Sequence, residues 1–212
     1  MHEIDVALSD YAISFFTIMF SASLLRSPIG NADARQWLVV LFLSLAAGAF
    51  LGGTSHGFFP DAESLGQDLL WPATMIALGV TAMAAWNVGA ALVFPQRLVR
   101  QVTVLSSIAF GIYCGYILLV TQVFTVAIIF YLPASLFLLV AFAVVAYRTR
   151  SWNALAGVCG IMLTFVAAGI QQAKVNLHPD FLTYNTLYHL VQLAGLWLIF
   201  LGGRWAAQLS KS

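Results

Sequence analysis

Histidine and carboxylate side chains stand where apolar segments of the chain begin or end. His56 closes an apolar run in LGGTSHGFFPDAES, residues 51–64, and His189 lies early in another run, YNTLYHLVQLAG. Asp10 and Asp68 each stand at the head of a further apolar run. Imidazole and carboxylate groups transfer protons and bind zinc, so these residues are the first candidates for chemistry.

Helical spacing adds amide groups to this set. Asn185, His189 and Gln192 follow at i, i+4 and i+7, so they share one face of a helix. Polar residues in membrane helices normally face the bundle interior, where they meet a partner or line a water-filled cavity. We therefore expect a pocket lined by carboxylate, imidazole and amide groups. There the two histidines are either hydrogen-bonded to neighbours or bind zinc with a third ligand, for which the candidates are Asp68, Asp10 and His178.

The composition places these residues in a membrane protein. Of the 212 residues, 61% are hydrophobic and only 8% are charged, and the mean hydropathy is +0.92. Soluble domains carry about a quarter charged residues, so the composition excludes an ordinary soluble domain. The net charge of +1 gives no indication of nucleic-acid binding.

Apolar runs between polar breaks predict seven transmembrane helices, because each crossing needs about 20 apolar residues. The predicted spans are 8–25, 37–55, 69–93, 99–120, 124–146, 152–172 and 183–203. We expect an all-α fold, an integral membrane bundle of seven transmembrane helices that forms one domain over residues 1–212. Within helix four, Gly111 and Gly115 form a GxxxG pair, which predicts close packing within the bundle.

Basic residues predict the orientation of the bundle. Lys174 falls on one side, and all others fall opposite: Arg26, Arg35, Arg97, Arg100, Arg148, Arg150, Arg204 and Lys211. By the positive-inside rule the N-terminus lies outside and the C-terminus lies in the cytoplasm. The candidate residues then gather at the outer end. We expect a multi-pass protein of a bacterial inner (plasma) membrane.

Two motifs carry a resemblance to a known family. GGTSH ends helix two with His56, and NTLYH places His189 early in helix seven. With seven helices and Asp68 near the start of helix three, the chain resembles the alkaline ceramidase and adiponectin-receptor-like membrane hydrolases. Members of that superfamily carry SxxxH, Asp and HxxxH at these places. Here Gly52 stands in place of the serine, and Asn185 stands in place of the first histidine of the last motif.

The resemblance implies a zinc-dependent hydrolase that acts on a lipid or acyl-amide. Zinc held by His56, His189 and Asp68 would activate water against the amide carbonyl. In such a site Asp68 serves as ligand or general base, with Asp61 as a weaker match, and Asn185 orients the substrate. The two departures from the family pattern remove a hydroxyl and one zinc ligand.

Two other functions remain open. One is a non-enzymatic bundle of the same fold, acting as a sensor, an accessory subunit or a small-molecule binder. The other is a b-type haem protein, with His56 and His189 as axial ligands from two helices. A retinal protein is excluded because helix seven carries no lysine for a Schiff base. We expect membrane lipid as a partner, and the sequence does not indicate whether the protein forms homo-oligomers.

Overall fold

The computed structural model describes residues 4–28, 30–59, 61, 63–178 and 182–209, and these residues form seven α-helices. In chain order the helices are α1 (Ile4–Leu25), α2 (Ala32–Phe58), α3 (Leu65–Val93), α4 (Gln96–Leu119), α5 (Phe124–Thr149), α6 (Trp152–Gln172) and α7 (Tyr184–Ala206). Each of the seven is long and apolar enough to cross a membrane. The predicted all-helical bundle with seven such spans is therefore confirmed.

The observed helices extend beyond the apolar runs at several ends, because polar residues cap them. Asn31 precedes α2, and its side chain accepts a hydrogen bond from the backbone N–H of Ala34 at 3.1 Å. Ser64 precedes α3 and accepts from the N–H of Gln67 at 3.2 Å. Such caps satisfy N–H groups that the helix itself leaves unpaired. Hydropathy finds the membrane-spanning part of a helix, whereas the cap decides where the helix begins.

Six of the helices form a ring in the order α1, α2, α3, α5, α6, α7, and α4 packs outside it, mainly on α3. The interior of the ring is filled by large apolar side chains. Phe20 of α1 stacks on Phe200 of α7 with ring centroids 4.7 Å apart, and Phe42 of α2 is fully buried beside both. Tyr113 fixes α4 to α3, because its hydroxyl donates to the carbonyl oxygen of Met75 at 2.9 Å.

The prediction that Gly111 and Gly115 pack closely within the bundle is wrong. A Cβ built on either glycine meets nothing within 4 Å, so neither glycine is a point of close packing against another described helix. The close approach lies between α6 and α7 instead. A Cβ on Gly160 would lie 2.6 Å from the carbonyl oxygen of Gly195, and a Cβ on Gly195 would lie 2.8 Å from that of Gly160. A GxxxG pattern reveals a flat helix face but does not reveal which neighbour that face meets.

Asn31 joins three helices at one end of the bundle. Its side-chain oxygen caps α2, and its Nδ2 donates to the carbonyl oxygen of Ala91 in the last turn of α3 at 2.9 Å. Its backbone N–H donates to the carbonyl oxygen of Ala207, the C-cap of α7, at 2.8 Å. Asn31 is only 6% exposed, so water does not replace these partners readily. One residue thus satisfies end groups of α2, α3 and α7.

We expect Asn31→Ala to lower the free energy of unfolding by about 1–3 kcal/mol, because it removes a helix cap and leaves a buried carbonyl without its donor. Asn31→Asp keeps the capping oxygen but turns an acceptor toward Ala91, so it should also destabilise the protein. The measurement is unfolding in mixed detergent micelles. Asn153→Ala, an exposed asparagine at the same end, is the control and should leave stability within about 0.5 kcal/mol. Equal stability of Asn31→Ala and Asn153→Ala would contradict the role of Asn31.

Candidate functional site

A cavity of about 240 Å³ opens between six helices at the end of the bundle where α1 begins. We call this the site end; α2, α4 and α6 end there, and α3, α5 and α7 begin there. Apolar side chains form most of the wall. The polar and aromatic groups that line it are Asp10, His56, Trp71, Thr74, Phe124, Gln171, Asn185, Tyr188, His189 and Gln192. The cavity therefore brings together imidazole, carboxylate and amide groups from separate helices.

The central contact of the cavity is an aspartate–histidine pair between α1 and α7. Oδ1 of Asp10 lies 3.3 Å from Nε2 of His189. The other ring nitrogen of His189, Nδ1, lies 2.8 Å from the hydroxyl oxygen of Ser9. That hydroxyl donates to the carbonyl oxygen of Val6, one turn earlier in α1, at 2.8 Å. Both ring nitrogens of His189 are thus engaged by neighbouring residues of α1.

Asp5 holds the first turns of α1 and α7 in register. Its Oδ2 accepts hydrogen bonds from the hydroxyls of Thr186 at 2.6 Å and Thr183 at 2.9 Å. Thr183 is also the N-cap of α7. A carboxylate at a helix N-terminus is stabilised by the helix dipole, so this contact favours the observed placement of α1. The same register sets Asp10 opposite His189.

Two adjacent glycines of α2 decide how closely Asp10 approaches that helix. A Cβ on Gly53 would lie 2.8 Å from Cβ of Asp10, so a side chain there would push α1 away. A Cβ on Gly52 would lie 3.8 Å from Oδ2 of Asp10 and 3.7 Å from Cγ2 of Thr74, which are ordinary contact distances. Gly53 therefore permits the close helix packing, and Gly52 leaves open space beside the carboxylate.

His56 and Trp71 form the wall of the cavity on the α2 and α3 side. Their rings meet edge to face, with centroids 6.4 Å apart. The indole N–H of Trp71 donates to the carbonyl oxygen of Gln122 at 2.9 Å, which fixes the short α4–α5 connection. Phe124, the first residue of α5, also contacts the indole, with centroids 5.9 Å apart. The wall is thus closed by aromatic contacts from three helices.

The amide groups predicted on α7 do face the same cavity. Nε2 of Gln171 donates to Oδ1 of Asn185 at 3.3 Å, which links the end of α6 to the start of α7. Gln192 lies further along α7 on the same wall. The i, i+4, i+7 spacing therefore identified a real polar face.

Three predicted site residues lie outside the lining of this cavity. Asp68 is exposed in the first turn of α3, one turn before Trp71. Asp61 is exposed in the α2–α3 connection, where its Oδ1 accepts from the N–H of Glu63. His178 is exposed in the α6–α7 connection, where its N–H donates to the carbonyl oxygen of Leu182 at 3.2 Å. Of the candidate acids, Asp10 is the one that lines this cavity. The roles predicted for Asp68, Asp61 and His178 stay predictions.

The donor groups of the cavity do not form a ready zinc site. Catalytic zinc takes three protein ligands and a water. Among the residues that the structure describes, no three His, Cys, Asp or Glu side chains are grouped closely enough to hold a metal ion. His189 would also have to give up Ser9 or Asp10 to offer a nitrogen lone pair. Zinc stays a prediction, and no step below is derived through it.

Ser9 is a residue of this candidate site that the sequence did not predict. It directly precedes Asp10 in LSDYA and is only 8% exposed. A serine in a membrane helix commonly bonds its own backbone, which Ser9 also does, so its type gives little signal. Its contact with His189 becomes evident only when α1 and α7 are placed side by side.

An apolar groove between α5, α6 and α7 adjoins the polar cavity. This second space of about 140 Å³ shares six lining residues with the first: Leu45, Leu78, Phe124, Gln171, Tyr188 and Gln192. Its rim includes Leu132 of α5, which is 45% exposed, and Ala168 of α6, which is also exposed. Side by side, the two spaces offer a polar part at the site end and an apolar part that reaches the outer surface of the bundle.

Comparisons with known proteins show the family of the chain and no activity. No curated protein matches the chain, and no solved structure matches it. A family model described as a family of unknown function, DUF6962, matches residues 6–208, which is nearly the whole chain. The protein therefore belongs to the DUF6962 family.

Proposed function

We propose that the protein is a membrane hydrolase that takes a lipid or acyl-amide from the bilayer and cleaves it at the site end. The observation that carries the proposal is a buried Asp10–His189 pair that faces a cavity adjoined by an apolar groove. Binding sites for small molecules are mostly apolar with a few convergent polar groups. A molecule with one polar head and one apolar chain matches a polar cavity beside an apolar groove.

The groove gives the chain of such a molecule a place and a route. Leu132 and Ala168 stand at its exposed rim, while Thr164 and Phe165 line it from α6. If these helices lie in a bilayer, the exposed rim faces lipid chains, so an apolar chain enters sideways without crossing water. The head then reaches the amide groups of Gln171 and the other polar residues of the cavity.

Hydrolysis of an amide needs one group that takes a proton from water and one that gives a proton to the leaving amine. In the proposal His56 takes the proton from water, whose oxygen then bonds to the carbonyl carbon. The Asp10–His189 pair gives a proton to the nitrogen as the carbon–nitrogen bond breaks. The products are a carboxylic acid and an amine. Amides of Asn185 and Gln171 hold the head in place.

The proposal keeps the orientation that the arginines predict, with the site end outside and the C-terminus in the cytoplasm. The described arginines support it, since Arg97 and Arg100 at the start of α4, Arg148 and Arg150 at the end of α5 and just after it, and Arg204 near the end of α7 all lie at the end opposite the cavity. The bacterial inner membrane as the location stays a prediction.

A second candidate is a ligand-binding protein without turnover. It is favoured by Gly52, which supplies no hydroxyl beside the carboxylate, and by the engagement of both His189 nitrogens. The haem alternative stays a prediction, although an axial bond from His189 would break one of its two contacts. Absorbance of the purified protein in the Soret region tests it directly.

The test uses a long-chain N-acyl ethanolamine with the full-length protein in lipid nanodiscs. Mass spectrometry follows release of the fatty acid, and Trp fluorescence follows binding, because Trp71 lines the cavity. Asp10→Asn and His189→Gln are expected to lower turnover by about 100-fold or more, the contribution of a general acid. Zinc content is measured on the same preparation.

Gly111→Ala is the matched control, since its side chain would contact nothing in the protein. Turnover that survives in this control and falls in the other two variants supports the hydrolase. Binding with no turnover in the wild type contradicts the hydrolase and supports the second candidate. Absence of both overturns the two proposals. Near-stoichiometric zinc that is lost in His189→Gln would instead favour the metal-dependent site that the family resemblance implies.

A further inference from the structure

The hydroxyl of Ser9 lies between two atoms but has a single hydrogen to give. One neighbour is the carbonyl oxygen of Val6, which can only accept, and the other is Nδ1 of His189, each at 2.8 Å. A ring nitrogen of histidine either donates or accepts, depending on its proton. Both contacts are hydrogen bonds only if Ser9 donates to Val6 and accepts from Nδ1–H of His189. The arrangement therefore specifies the tautomer of the ring.

The same reasoning then applies to the other side of the ring. With its proton on Nδ1, a neutral imidazole has a lone pair on Nε2, and an ionised carboxylate offers only lone pairs. Nε2 of His189 and Oδ1 of Asp10 are nevertheless 3.3 Å apart. A proton between them turns this from a contact of two acceptors into a hydrogen bond. Asp10 and His189 together then carry no net charge.

Burial of the two side chains favours the state in which one proton lies between Asp10 and His189. Asp10 is 7% exposed, and the side chain of His189 is 11% exposed. Among the described residues that line the cavity the basic groups are the imidazoles of His56 and His189, with no lysine or arginine, and the nearby carboxylate of Asp5 would repel a further negative charge. A buried net charge without a partner is far more costly than a neutral pair. The pair is therefore more stable with the shared proton than without it.

We propose that Asp10 and His189 hold one proton between them, and that Ser9 is the positioning residue that fixes this state by accepting the Nδ1–H of His189. The proton lies at the wall of the cavity, where a bound polar group can take it. Its transfer to a leaving amine rests on the proposed function. The proton count and the role of Ser9 do not, because they follow from the contacts alone.

One other arrangement satisfies fewer contacts. If Ser9 donated to Nδ1, the ring proton would lie on Nε2 and bond an ionised Asp10. The contact between Ser9 and Val6 would then lack a hydrogen, and the pair would carry one negative charge. The two arrangements place the ring proton on different nitrogens, so a measurement of the tautomer separates them.

The experiment is nitrogen NMR of the full-length protein in nanodiscs at neutral pH, with ¹⁵N-labelled histidine. His189→Gln identifies the signals of His189 by their loss. We expect Nδ1 of His189 to carry a proton in the wild type. A neutral ring protonated on Nε2 alone would overturn the proposal, whatever the outcome of any activity assay.

Three variants test the role of Ser9. Ser9→Ala should abolish the Nδ1–H signal of His189, because that proton loses its acceptor, while Ser9→Thr keeps a hydroxyl and should restore it. Ser21→Ala is the matched control, since Ser21 is a buried serine of α1 that bonds only the carbonyl of Thr17 among the contacts described. An unchanged Nδ1–H signal in Ser9→Ala would refute the positioning role. The wild-type spectrum decides both points even if Ser9→Ala fails to fold: the Nδ1 signal reports the tautomer, and the Nε2 signal reports the shared proton, because a nitrogen that carries or accepts a proton differs in chemical shift from one with a bare lone pair. A bare Nε2 would contradict the proton count.

Discussion

Gly160→Ala is expected to destabilise the bundle by about 3 kcal/mol or more, at the upper end of the range for an overfilled interior. The added Cβ would lie 2.6 Å from the carbonyl oxygen of Gly195 and 2.7 Å from the backbone N of Ile199. Both are backbone atoms, which cannot rotate aside as a side chain can. The methyl group can be admitted only if α6 and α7 separate. Unfolding in mixed micelles measures the loss.

Gly169→Ala is the matched control, because Gly169 belongs to the same helix and a Cβ there meets nothing within 4 Å. Alanine has a higher helix propensity than glycine by about 1 kcal/mol, so this control should be neutral or slightly stabilising. The two substitutions are chemically identical and differ only in their surroundings. Equal effects on unfolding would disprove the close contact of α6 and α7.

The seven helices were predictable because a membrane crossing requires a long apolar run, and such runs are evident along a chain. The arrangement of the helices was not. Gly111 and Gly160 are both glycines of apolar segments, yet one faces away from the bundle and the other touches a neighbouring backbone. Hydropathy carries no information on which side of a membrane helix meets protein and which meets lipid. That difference is decided by packing.

The candidate site was predictable in part for a similar reason. Helical periodicity placed Asn185, His189 and Gln192 on one face, and that face does line the cavity. Periodicity does not say which helix lies opposite. The acid opposite His189 is therefore Asp10 of α1, whereas Asp68 of α3 is exposed. Contacts between distant parts of a chain depend on the assembled bundle.

Replacing either member of the Asp10–His189 pair with leucine should cost about 3–5 kcal/mol, because the remaining polar group stays buried without its partner. Asp10→Leu leaves Nε2 of His189 facing an apolar side chain, and His189→Leu leaves the carboxyl and the hydroxyl of Ser9 unsatisfied on that side. The double variant lacks both the carboxyl and the imidazole, so neither group is left buried without its partner. It should therefore lose less stability than the sum of the two single losses, by about 0.5–3 kcal/mol.

These single and double variants form a double-mutant cycle, and a second cycle between distant residues shows how large a coupling energy arises without contact. Asn87 of α3 is fully buried and donates to the hydroxyl of Ser106 at 2.9 Å, but it lies about 24 Å along α3 from Trp71 by the helical rise of about 1.5 Å per residue. Asn87→Leu and Asp10→Leu should therefore add within about 0.5 kcal/mol. Additivity in the Asp10–His189 cycle as well would mean that the two side chains do not interact. Coupling confined to that cycle would identify the pair as one polar unit, which the proposed proton transfer requires.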